Sequence, residues 1–259
     1  MATPGRFIRA IKDGDVASVR RLAANGLNIY SDNTFAGLAV MGGQPEVIKC
    51  LHELRSPMQG DKVLPECALY AETKASGIGD PDVVISVLAA LRDVGVDLGA
   101  RLPSHPTVLC LLLDDNALPR KCPANKGCRG ANARRKPSTV SVMETGGLKT
   151  IKTWWSPEAR LEVARWLLEA GVDPEAGYPI DKLAAWYAAL SGNLEALKLL
   201  HAHGADMAKV SRDESGRETT VVRAALCRDA RHILKWLSKT CGIVPTRADL
   251  ADTAVEQRS

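Results

Sequence analysis

Aromatic side chains are scarce in this chain. Two Phe, four Tyr and five Trp stand among 259 residues. Ala, Leu and Val carry the apolar load instead, which favours closely packed helices over a β-sandwich, whose strands favour aromatic and β-branched residues. Long apolar runs are also missing. The longest near the middle, Thr107–Leu113 (TVLCLLL), ends at Asp114 and Asp115, far short of the ~20 residues a membrane-spanning helix requires. The opening MATPGRFIRAIKDGD holds Asp13 and Asp15 and no apolar core, which reads against a secretory or transit segment. Seven cysteines is an odd number, and Cys50, Cys67, Cys110 and Cys227 lie inside apolar helical patterns. There a Cys acts as a small hydrophobe, so the set suits a reducing compartment better than a disulfide framework.

Catalytic signatures are missing too. The sequence has no P-loop, no Gly-x-Ser-x-Gly and no His-Glu-x-x-His. SGIGD (Ser76–Asp80) has two glycines of a dinucleotide loop but not the third. Asp80 and Pro81 read better as the cap and first position of a helix. His201 and His203 fall in the last turn of a helix before Gly204, where an imidazole complements the negative helix end. The expectation is a chain that is not an enzyme and has no metal, no cofactor and no small-molecule substrate.

Charge is present but uneven. The formal net charge is +4. Between Asn116 and Thr153 there are nine Lys or Arg and one acid, Glu144. The remainder holds 25 basic and 29 acidic residues, a net −4. An acidic body thus carries one basic segment.

What the chain has is repetition. LEVARWLLEAGVDPEAG places a helix stop at Gly171, and LEALKLLHAHGADMAKV places one at Gly204, 33 residues later. GDVASVRRLAANGLNI, GGQPEVIKCLHEL and VISVLAALRDVGVDL repeat the same grammar. First helices end near Gly14, Gly43 and Gly192, the last reading KLAAWYAALSGN with paired Ala188 and Ala189. The final copy, TTVVRAALCRDARHILKWL, has Asp229 where Gly is expected. These motifs resemble the ankyrin-repeat family, with its period of about 33 residues. The resemblance implies an all-α ankyrin-like solenoid of about six helix pairs, near 5–30, 34–56, 64–98, 106–173, 179–206 and 219–241. A generic stack of helix pairs is the structural alternative. By domain, 1–243 is the solenoid and 244–259 a C-terminal tail.

The fourth repeat is interrupted by residues 116–155, rich in Gly, Pro, Asn, Ser and Lys/Arg. They are expected to form a long basic loop at a helix–helix turn. Arg120, Lys121, Lys126, Arg129, Arg134, Arg135 and Lys136 make up its charge. Four readings stand: a solvated loop, a grip on nucleic acid or an acidic partner, a localisation signal through Arg134–Lys136, or a zinc site on Cys122 and Cys128 with His105 and Cys110. The last lacks a recognised ligand spacing, and no aromatic lies within the run for base stacking. Ser138 and Thr139 follow three basic residues, as in a basophilic kinase substrate.

Ankyrin-like stacks generally bind proteins along a concave surface of first helices and finger tips. By position, the resemblance nominates Arg9, Leu38 and Tyr187, then Lys12, Met41 and Leu190 one turn on. It also nominates Tyr30, Arg101 and Tyr178 at finger tips, beside Ser31 and Arg212. Leu38, Met41 and Leu190 alternatively only pack between repeats. Trp186 and Trp236 read as inter-repeat core. Trp154 and Trp155, at the exit of the insertion, either cover a neighbouring repeat or anchor a partner. The expected function is a non-catalytic scaffold or adaptor binding another protein, with a cytoplasmic address, or a nuclear one. The alternative is nucleic-acid association through residues 120–136.

Overall fold

A computed structural model describes residues 3–27, 29, 34–56, 64–71, 80–100, 107–114, 140–144, 147–151, 155–175, 183–212, 218–247 and 249–250. The chain divides into two compact units, Met1–Ala100 and Arg101–Ser259.

The first unit holds three helix pairs. They are α1 (Pro4–Asp13) with α2 (Val16–Ala24), α3 (Thr34–Met41) with α4 (Pro45–Glu53), and α5 (Leu64–Ala68) with α6 (Pro81–Asp93). Each first helix packs on its own second helix. The first helices also pack in a row, α1 on α3 and α3 on α5, and so do the second helices, α2 on α4 and α4 on α6. The second unit repeats the plan with α7 (Val108–Leu113) and α8 (Pro157–Glu169), α9 (Ala184–Leu190) and α10 (Leu194–Ala202), and α11 (Val221–Cys227) and α12 (Arg231–Trp236). Here α7, α9 and α11 form the row of first helices. Such stacking is required because one helix pair cannot bury both of its faces.

Helix starts follow local chemistry. Asp15, Asp80, Thr107, Ser156, Asn193 and Thr220 each accept a bond from a backbone N–H two or three residues on. Pro81 and Pro157 occupy first positions, where their missing N–H costs nothing. Helix ends are equally regular. Gly14, Gly43, Gly192 and Asp229 adopt positive φ after first helices. Gly26, Arg55, Gly95, Gly171, Gly204 and Gly242 do so after second helices. Six second-helix closures therefore mark six repeats.

The bonds across these ends recur as well. After first helices, the N–H groups of Asp15, Gln44, Asn193 and Ala230 donate to the carbonyls of Ala10, Ala39, Ala188 and Ala225 at 2.9–3.0 Å. After second helices, Ser56, Val96, Val172 and Ala205 donate to Leu51, Leu91, Leu167 and Leu200 at 2.9–3.0 Å. This is the Schellman closure, which satisfies carbonyls the helix cannot. The acceptor is Ala in one row, where helices approach closely. It is a fully buried Leu in the other, worth about 1.5–3 kcal/mol of apolar burial each. The last repeat breaks the rule: Leu237–Cys241 is a π-turn, and Ile243 donates to Leu237 one residue further along.

The structure changes two readings around the insertion. Where the composition suggests only loop, Val140–Glu144 (β1) and Gly147–Ile151 (β2) pair antiparallel, Val140 opposite Ile151. Trp155 is no exposed anchor: its relative exposure is 0%, so it belongs to the core of the second unit. A second short pair, β3 (Ser211–Arg212) with β4 (Glu218–Thr219), forms the finger between α10 and α11.

Candidate functional site

The shared closures put the first helices into register. Counting back from Gly14, Gly43, Gly192 and Asp229, the positions of Arg9, Leu38, Tyr187 and Ala224 are equivalent, as are those of Lys12, Met41, Leu190 and Cys227. Within α3 and α9 the burial pattern is the same. Phe35, Ala36, Ala39 and Val40 are buried, and so are Ala184, Ala185, Ala188 and Ala189. Leu38 and Met41, and Tyr187 and Leu190, are half-buried. The nominated side chains therefore share one helix edge in each unit, partly covered and partly facing solvent.

Local contacts hold that edge. Tyr187 meets Trp186 edge to face, ring centroids 5.1 Å apart, an arrangement aromatic quadrupoles prefer. The Leu190 carbonyl accepts from Arg228 Nε at 2.8 Å, and Gly192 O lies 3.1 Å from His232 Nε2. Arg9 pairs with Asp13 at 3.6 Å on the exposed side of α1, and Lys12 is exposed in its last turn. Trp186 and Trp236 are half-buried rather than enclosed. Trp236 meets His201 edge to face at 5.7 Å. His201 is thereby occupied in packing at the end of α10.

Tyr30, Arg101 and Tyr178 lie outside the described residues, as do the basic positions Arg120, Lys121, Lys126, Arg129, Arg134, Arg135 and Lys136, the hydroxyls Ser138 and Thr139, and the zinc candidates Cys122, Cys128 and His105. Cys110 is described, and is buried in α7.

Among the described residues, no group of three or more His, Cys, Asp or Glu is placed to hold a metal. No described helix is long and apolar enough to cross a membrane. Cys50, Cys67 and Cys241 are reduced thiols, and burial pushes each upward, Cys67 to about 11. A protonated, covered thiol is a packing group rather than a nucleophile. The features the sequence reading missed are Arg6 and Arg21, which line a cleft with Arg9 on the first helix pair. Arg6 stands three residues before Arg9 on α1 and Arg21 lies on α2, but their setting depends on burial elsewhere.

Comparisons with known proteins agree with this geometry. Residues 185–237, spanning α9 to α12, match the family model for ankyrin repeats in many copies. A search of curated proteins gives no match. Among solved structures, the ankyrin repeat domain of Bcl-3, described as a unique member of the IkappaB protein family, is similar in fold. Its TM-score is 0.57 at 18% identity, over 90% of this chain and 85% of that one. The chain thus has the ankyrin-repeat fold, with helix pairs stacked in each unit, and its residues 185–237 are ankyrin repeats.

Proposed function

We propose that this chain is a non-catalytic scaffold that binds another protein along the exposed edge of its first helices. The observation that carries the reading is the equivalence of Leu38 and Met41 in α3 with Tyr187 and Leu190 in α9. These large apolar side chains recur in register, yet stacking leaves each half-covered. Their neighbours at the paired small positions, Ala39, Ala188 and Ala189, are fully enclosed. Within each unit, a half-exposed Leu–Met or Tyr–Leu pair one turn apart on a packed helix suits a partner, because little side-chain entropy is lost on docking. The ankyrin match over 185–237 supports the same class of function.

The test is affinity capture from nuclease-treated native lysate, with wild type beside Leu38→Glu and Tyr187→Ala. Loss of a specific partner with either variant, at unchanged helicity by circular dichroism, is the expected result. Retention of every partner by the double variant rules out this surface. The basic run at residues 120–136 supports a second reading, contact with an acidic partner or nucleic acid. Its own signature is different: binding falls steeply with salt and disappears when the seven Lys and Arg are neutralised.

A further inference from the structure

We propose that the cleft between α1 and α2 is a receptor for an acidic segment of another protein, held by Arg6, Arg9 and Arg21. The cleft has a volume of about 520 Å³. Its place in the repeat plan explains its composition. Arg6 is equivalent to Phe35, Ala184 and Val221, all buried. Ser18 is equivalent to Val47, Val87, Val163 and Ala196, all buried, and Arg21 to Cys50 and Ala90, which are buried, and to Trp166 and Leu199, which are half-buried. Elsewhere these positions are wholly or partly covered, whereas Arg6 and Arg21 are exposed. In the first repeat the same groove lies open, and its lining has become cationic and polar.

Polarity alone would serve to cap a stack, but the arrangement here is more specific. Asp15 is engaged at the start of α2, accepting the Ser18 N–H at 2.9 Å, and the Ser18 side chain and then its N–H hold the carboxyl below the usual range. Asp13 pairs with Arg9 at 3.6 Å. Arg21 donates to the Ser18 hydroxyl at 3.1 Å and lies near enough to Asp15 to favour its charged form. Among the described residues no acid is paired with Arg6. The cleft therefore has three guanidinium groups and two carboxylates, both already engaged. Guanidinium forks match carboxylates bidentately. An exposed pair such as Arg9–Asp13 is weak enough to be exchanged. An incoming Asp or Glu would complete the charge balance where the interior repeats bury apolar side chains.

Arg9 shares its helix position with Leu38 and Tyr187, but Arg6 and Arg21 lie off that edge, so variants of these two test the cleft separately from the proposed function. The probe is a fluorescein-labelled dodecapeptide of alternating Glu and Gly, with a Gln–Gly peptide as control. Anisotropy titrations use the full chain at about 50 mM salt, where exposed charges are least screened. The Glu peptide is expected to bind and the Gln peptide not. Arg6→Gln and Arg21→Gln should each weaken binding, and together raise Kd about tenfold. Neutralising the seven basic residues of 120–136 should leave the affinity unchanged. Absence of binding, indifference to both arginine variants, or loss with the insertion variant overturns the proposal. So does tighter binding of oligo(dT) through the same arginines, which would assign the cleft to phosphate. A dimer in light scattering that Arg6→Gln dissociates would assign it to a second copy of the chain.

Discussion

At the residue scale, left-handed closures set the cost of single changes. Gly14 has φ +73, and a Cβ there would lie 2.3 Å from Gln44 Oε1. Gln44 Oε1 is the end of a flexible side chain and can swing away, giving up at most the long bond from its Nε2 to the Lys12 carbonyl at 3.4 Å. Gly26 has φ +81 but open space around it. Gly14→Ala should therefore cost about 1–2 kcal/mol and Gly26→Ala about 1, the backbone strain alone. Urea melts of the two variants check this, and equal losses would show that the Gln44 contact is inconsequential. Arg55 holds φ 56 without being Gly. Arg55→Gly should gain about 0.5–1 kcal/mol, since relief of left-handed strain exceeds the added freedom of the unfolded chain. Trp155, completely enclosed, should cost about 3–5 kcal/mol on Trp155→Ala. An exposed partner anchor would lose binding with little change in the melt.

At the element scale, neighbouring repeats are joined by side chains from finger to finger. Glu175, just after the fourth repeat's closure, accepts the Asp206 N–H at 3.0 Å and pairs with Lys209. Lys209 and then the Asp206 N–H hold its carboxyl below its ordinary 4.5. A lowered folded value means a contribution that is present above the unfolded range and lost as pH falls through the folded one. Acidification from neutral pH should weaken the fourth–fifth junction, and Glu175→Gln should flatten that part of the stability–pH curve. An unaltered curve would mean solvent screens the pair completely. Legibility also divides at this scale. The closures at Gly14, Gly43, Gly171, Gly192 and Gly204 can be read directly, because few residues tolerate positive φ. The closure at Arg55 could not be read that way, since Arg gives no such cue. The strands at 140–151 were hidden because Val140, Val142 and Leu148 alternate with polar residues too briefly to outweigh the surrounding Gly and Lys. The cleft at α1 and α2 was invisible for another reason: Arg6 acquires meaning only beside the burial of Phe35 and Val221.

At the scale of the whole molecule, the main helix contacts among the described residues join adjoining pairs within each compact unit, so a defect should spread locally. Val40→Asp, which buries a carboxylate in α3, should abolish amide protection through α1–α6 while α8–α11 retain theirs. Hydrogen exchange read by mass spectrometry distinguishes this from uniform loss, which would make the chain one cooperative block. The same enclosure governs sulfur reactivity. With Cys67 held near 11, its thiolate fraction at neutral pH is on the order of 10⁻⁴, and Cys50 and Cys241 are shifted the same way. Alkylation at these three positions should be slow in the native protein and fast in urea. A cysteine introduced at an exposed edge such as Arg9 would then outpace them, so a dye or cross-linker could be placed on the chosen face without first removing these three native thiols.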